Sequence, residues 1–152
     1  MLIGGYIAVP VALFGYGQFE QSAHAREAGI LGGEALIDGV VVEQGMKLIF
    51  WRERPYSDGN RGRFFQGNAG VDTSFPSSHS VLAWSAAAAL AGEYPSPWAQ
   101  ASLYTAATAV SLTRVLGQQH FPGDVLAGSA AGWLVGRYVF RSHHRHGIHD
   151  AK

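Results

Sequence analysis

Apolar residues recur at intervals of three and four along most of this chain, and nowhere do they alternate with polar ones long enough to form a half-buried strand. Ile30, Leu31, Leu36, Ile37, Val40, Val41, Leu48 and Ile49 predict a helix from about Ala25 to Arg52, weakened locally at Gly32–Gly33 and Gly39. Pro55 stops it, because a residue before proline, here Arg54, is biased out of the helical region. Upstream, residues 2–18 form an apolar first segment, read as helical. Ser77 or Ser78 opens an alanine-rich helix that reaches Ala91. Glu93 to Pro97 is a turn, Ala99 to Leu116 a further helix, and Pro122 suits the first turn of a last helix running to about Arg141. Tyr56 to Phe75, rich in Gly, Asn, Asp and Arg, is a loop whose length inside a small domain points to function or mobility. The tail, Ser142 to Lys152, is polar and carries His143, His144, His146 and His149. It reads as a solvated, frayed end rather than a native metal site. The expectation is an all-α fold: one domain over residues 1–141, a bundle of about five helices, followed by a His-rich tail over 142–152.

Composition narrows the function classes. The chain has 152 residues, 11 Lys plus Arg against 11 Asp plus Glu, and no cysteine. The balanced charge gives no support to a broad nucleic-acid surface, so no nucleic-acid partner is expected. Thiolate catalysis, disulfides and cysteine zinc sites are excluded. Twenty glycines and a run of alanines permit close helix packing in a bilayer as well as in water. Leu2 to Phe19 and Tyr94 to Thr113 are both uncharged, yet each is interrupted by proline and polar residues. With a mean hydropathy of +0.04, the segments leave membrane-embedded and soluble readings both open.

Three short segments carry the chemistry. In Lys47 to Pro55 the cations Lys47 and Arg54 are seven residues apart, almost two helical turns, and so share a face beside Phe50 and Trp51. A bound anion would explain that pairing; a solvated basic helix end is the ordinary alternative. In Phe75 to Ser80, the hydroxyls of Ser77 and Ser78 and the free N–H groups of a helix start form an anion nest. His79 lies in that first turn, where an imidazole can donate a proton to a leaving oxygen. In Thr113 to Asp124, Arg114 can fork onto two phosphate oxygens, and His120 stands just before the last helix with Asp124 in its first turn. That spacing allows the carboxylate to accept a hydrogen bond from one imidazole nitrogen and hold the other ready to attack. Together the segments supply three cations, an anion nest and two histidines with a carboxylate, the parts phosphoryl transfer needs. No acidic cluster suited to Mg²⁺ is visible, so neither a metal nor a cofactor is expected.

These segments resemble the type 2 phosphatidic acid phosphatase superfamily, which includes bacterial acid phosphatases and vanadium haloperoxidases, and whose motifs read KxxxxxxRP, PSGH and SRxxxxxHxxxD. The first is complete as Lys47 to Pro55. The second appears as Pro76-Ser77-Ser78-His79, with Ser78 where the family has glycine. The third appears as Thr113-Arg114 to His120 to Asp124, with threonine in place of serine. The resemblance implies a helical bundle of that family's type. It also implies phosphate binding by Lys47, Arg54, Ser77, Ser78 and Arg114. His120 would be the nucleophile that becomes a phosphohistidine, His79 the general acid and then base, and Asp124 the residue that orients His120.

The expected activity is metal-independent hydrolysis of phosphate monoesters, with vanadate as an inhibitor. The substrate would be a lipid phosphate, an isoprenoid phosphate or a small soluble ester; the apolar helices and Trp51, Phe64, Phe65 and Trp84 favour a lipid. A vanadate-dependent haloperoxidase and a non-catalytic helical membrane or interaction protein with a relict site are the alternatives. The expected location is the cell envelope, membrane-associated with a periplasm-facing site, or else soluble in the periplasm. Arg52, Arg61 and Arg63 read as solvated loop charges, and the short first segment makes further N-terminal helices plausible.

Overall fold

The computed structural model describes residues 3–56, 61–65 and 73–149. Residues 57–60 and 66–72 of the expected loop, and residues 150–152 of the expected tail, lie outside the described residues. Five helices and no strand stand among those described: α1 (Ile3–Phe19), α2 (Ala23–Phe50), α3 (Ser78–Glu93), α4 (Pro97–Leu116) and α5 (Pro122–His149). The all-α expectation holds.

Local signals set the helix ends. Ser22 caps α2 by accepting a hydrogen bond from the Ala25 amide. Trp51 ends α2 in the left-handed conformation, with its amide bonded to the Lys47 carbonyl. Pro97 occupies the first turn of α4, where its missing N–H is harmless. The last helix outruns the expected boundary near Arg141 and continues to His149. No proline or glycine interrupts the chain between Gly136 and Gly147, and basic residues near a helix C-terminus suit its dipole.

Helix α3 is the centre of the bundle and touches the other four. Ten of its sixteen residues are Ser, Ala or Gly, and Ala86 to Ala91 are all buried. Its most extensive partner is α5, which lies parallel to it. A glycine seam makes the contact: a Cβ at Gly132 would sit 2.2 Å from the Val81 carbonyl oxygen, and one at Gly136 2.2 Å from that of Ser85. Only glycine allows the two backbones so close. Helices α2 and α4 run antiparallel to α3, α4 being tied to it by a hydrogen bond from Trp84 Nε1 to Ser111 Oγ at 3.2 Å. Leu31, Ala35, Ala89 and Val139 fill the space between α2, α3 and α5.

This arrangement collects four helix ends at one end of the bundle: the N-termini of α3 and α5 and the C-termini of α2 and α4. Lys47 and Arg114 occupy the last turns of α2 and α4, and Asp124 the first turn of α5. Each charge is therefore of the sign its helix dipole favours.

Candidate active site

The three sequence segments meet at that end. His79 is surrounded by the positive charges of Arg114, Lys47 and Arg54, and His120 by those of Arg54 and Lys47. All eight expected residues are thus assembled by the convergence of three loops and helix ends.

His120 is buried. Its Nδ1 lies 2.7 Å from the backbone carbonyl oxygen of Ser74. A carbonyl can only accept, so Nδ1 carries the proton and Nε2 keeps its lone pair. The expected bond from His120 to Asp124 is not the one made: the nearest carboxylate oxygen is 3.9 Å from Nδ1. Burial is the main cause that pushes the His120 pKa down, to about 4, with Arg54 and Lys47 adding to it; the Ser74 bond and the Asp124 charge oppose the shift. The imidazole is neutral at neutral pH.

Asp124 is fully buried and serves as a hub. Its Oδ1 accepts from Arg52 Nη1 at 2.5 Å, and its Oδ2 accepts from Ser74 Oγ at 2.5 Å and from the Phe121 amide at 2.9 Å. Its own carbonyl receives the Ser77 amide at 3.1 Å, which links α5 to the start of α3. Asp124 therefore fixes Ser74, and Ser74 fixes His120.

Arg52 corrects the expectation of a solvated loop charge. Besides Asp124, its Nε donates to the Gly62 carbonyl at 3.0 Å. Its guanidinium lies between two aromatic rings, 4.6 Å from the centroid of Phe64 and 4.4 Å from that of Phe121. Its carbonyl also accepts from the Ser74 amide at 2.8 Å. Gly62 has φ +58°, and a Cβ there would meet the Phe121 ring at 2.7 Å. Arg63, by contrast, pairs with Glu53 at 3.4 Å on the surface, and Arg61 is exposed.

The start of α3 offers the amides of Ser78, His79 and Ser80, which precede the first helical bond, from the Val81 amide to the Ser77 carbonyl. The Ser77 hydroxyl is buried, makes no capping bond and has no hydrogen-bond partner among the described residues. Such a cradle of donors suits an oxyanion. His79 is half-buried, and burial first, then Arg114, Lys47 and Arg54, hold its pKa below 6.5. Ser78 Oγ donates to Glu43 Oε1 at 2.5 Å, and Lys47 Nζ contacts the same oxygen at 2.7 Å. Arg114 is braced by Thr113 Oγ1 at 3.1 Å and Gln119 Oε1 at 2.9 Å, while Arg54 donates to the Gln119 carbonyl at 3.4 Å. The threonine hydroxyl thus directs the arginine beside it.

Sequence reasoning missed Glu43, Ser74 and Gln119. Glu43 alone left a trace: an acid one turn before Lys47, at the spacing of a helical ion pair. Ser74 meets His120 through its backbone, which residue identity does not report.

Comparison with known proteins identifies a relative and a family. A 106-residue stretch, 68% of this chain, is 35% identical to the lipid A 1-phosphatase of Porphyromonas gingivalis. The chain spans about a fifth of that relative's length, 21%. No solved structure matches the chain. The PAP2 superfamily profile matches residues 28–148, a span that begins inside α2 and takes in Lys47, His79, His120 and every partner named above. A family match over most of the chain, with a relative 35% identical over 68% of it, means that this protein belongs to the PAP2 superfamily.

Proposed function

We propose that the chain is a phosphatase that hydrolyses lipid phosphate monoesters through a phosphohistidine at His120. The observation that carries this reading is the Ser74 carbonyl bond, which leaves a neutral His120 with a free Nε2 lone pair in the positive field of Arg54 and Lys47. Nε2 attacks phosphorus as the bond from phosphorus to the ester oxygen breaks, and protonated His79 gives its proton to the leaving alkoxide. Water then attacks the phosphohistidine, His79 takes a proton from it, and the P–N bond breaks to release inorganic phosphate. Lys47, Arg54, Arg114, Ser77 and the α3 amides hold the phosphoryl oxygens through both steps. Asp124 positions His120 through Ser74 rather than by direct contact.

Two features support a lipid substrate at a membrane. An open groove of about 620 Å³ between α3, α4 and α5 is lined mainly by apolar side chains including Trp84, Leu112, Val125 and Trp133. The outer faces of the helices expose large apolar residues, among them Phe19, Ile37, Val41, Leu116 and Leu126. No helix among the described residues is long and apolar enough to cross a membrane. The named activity of the Porphyromonas gingivalis relative is a lipid phosphatase, and we carry that substrate class over; the exposed apolar faces are what support association with the envelope membrane.

The test is phosphate release from dispersed phosphatidic acid with EDTA present, for wild type and His120→Ala, with phosphorylated protein trapped by a denaturing quench at alkaline pH. Release by wild type, abolished in the variant and accompanied by a trapped acid-labile phosphohistidine, is the expected result. Release that persists in His120→Ala overturns the nucleophile assignment.

A further inference from the structure

Glu43 is a buried acid set inside a site otherwise built to attract anions. It lies one turn before Lys47 on α2, and its side chain is 3% exposed. One carboxylate oxygen is shared by the Lys47 ammonium at 2.7 Å and the Ser78 hydroxyl at 2.5 Å, and the other accepts from Gln44 Nε2 at 2.8 Å. A negative charge here opposes any phosphate that approaches Lys47. The fold nevertheless places it there and satisfies it with three donors. Ser78 is also the position at which the chain departs from the glycine of the resembled motif. The hydroxyl it adds is committed to α2, so that hydroxyl does not compete with phosphate for the α3 amides.

We propose that Glu43 is an internal counter-anion that tempers the grip of Lys47 on phosphate, with Ser78 holding it in place. It acts through Lys47 and is a positioning residue, not a catalytic one. Without it more of the ammonium's charge would act on the bound phosphate, and product would leave slowly. With it, Lys47 divides its charge between a permanent partner and a transient one. The inference rests on the phosphatase reading for its purpose, and its test is independent of turnover.

Glu43→Gln keeps the size and the acceptor oxygen and removes only the charge. Binding of inorganic phosphate to wild type, Glu43→Gln and Glu43→Asp is measured by calorimetry, alongside melting temperature and steady-state turnover. The expected result is phosphate bound at least fivefold more tightly by Glu43→Gln, with a lower kcat limited by release. Glu43→Asp, which withdraws the charge by one methylene, falls between. A merely structural acid predicts the opposite sign, weaker binding in both. Unchanged or weaker binding in a folded Glu43→Gln overturns the proposal. If that variant does not fold, Glu43→Asp decides alone, and binding no tighter than wild type overturns it. A wild type that binds phosphate but hydrolyses no ester removes the phosphatase reading and leaves this inference standing. No phosphate binding by any of the three proteins overturns both.

Discussion

Ser74 and His120 are 46 positions apart, yet the carbonyl of one and the Nδ1 of the other meet at 2.7 Å in a buried contact. The bond assigns the imidazole tautomer without a carboxylate. In a Ser-His-Asp triad the acid does that work directly, and its amide variant loses about 10⁴-fold in kcat because the tautomer is wrong. Here a backbone acceptor remains when the acid is changed. Asp124→Asn is therefore expected to lower kcat by only about 10–100-fold, through looser placement of Ser74. Steady-state kinetics on a monoester substrate checks this, and a loss near 10⁴-fold would show that the carboxylate acts on His120 directly.

Arg52 should be as sensitive as any motif residue. Its side chain is 17% exposed and its charge faces that of a fully buried Asp124. Arg52→Ala leaves that carboxylate unpaired, a change worth about 3 kcal/mol or more of stability. Arg52→Lys should restore little, because an ammonium can neither fork to Asp124 and Gly62 nor stack between Phe64 and Phe121. Thermal unfolding of the three proteins is the measurement, and a lysine variant that melts with the wild type would contradict the stacking account.

The pH profile follows from the two histidines. His120 must be neutral to attack, so activity rises with pH through its pKa of about 4. His79 must be protonated to serve the leaving group, so activity falls as pH rises through its pKa, which lies below 6.5. The expected kcat/KM profile of the free enzyme is a bell on the acid side of neutrality. Arg114→Ala removes a cation that disfavours the His79 imidazolium, so its alkaline limb should move upward. An alkaline limb that stays fixed would separate Arg114 from His79.

Gly132 tests the α3–α5 seam. A methyl group at this position meets the Val81 carbonyl oxygen at 2.2 Å, with backbone rather than a flexible side chain in the way. Gly132→Ala should destabilise by about 1–3 kcal/mol by forcing the helices apart. Gly33→Ala, where nothing lies within 4 Å of the added carbon, is the control and should leave the melting temperature unchanged or raised.

Helix positions were legible because period, proline and serine punctuation agree along this chain. Lys47, His79, Arg114 and His120 were legible because their spacing has a chemical reason. The supports were not. Arg52 looked solvated because its partners, Asp124, Phe64 and Phe121, come from a distant helix and a loop. Ser74 holds His120 with an atom every residue possesses. Glu43 reads as one more polar helix position until folding brings Ser78 opposite it. The reach of α5 past Arg141 was missed because histidine-rich composition says more about solvation than about backbone continuity.

The glycine seam has a consequence beyond cohesion. Gly128 abuts the Ser77 carbonyl at the head of α3, and the same α5 begins with Asp124. Sliding one helix past the other by a single turn would displace the anion cradle from His120 by about 5.4 Å. Backbone touching backbone thus works as a ruler, and it makes the alignment of acid, nucleophile and phosphate insensitive to the identity of the outward side chains. The exterior is left free to change to suit whatever surrounds it, while the reacting end keeps its dimensions.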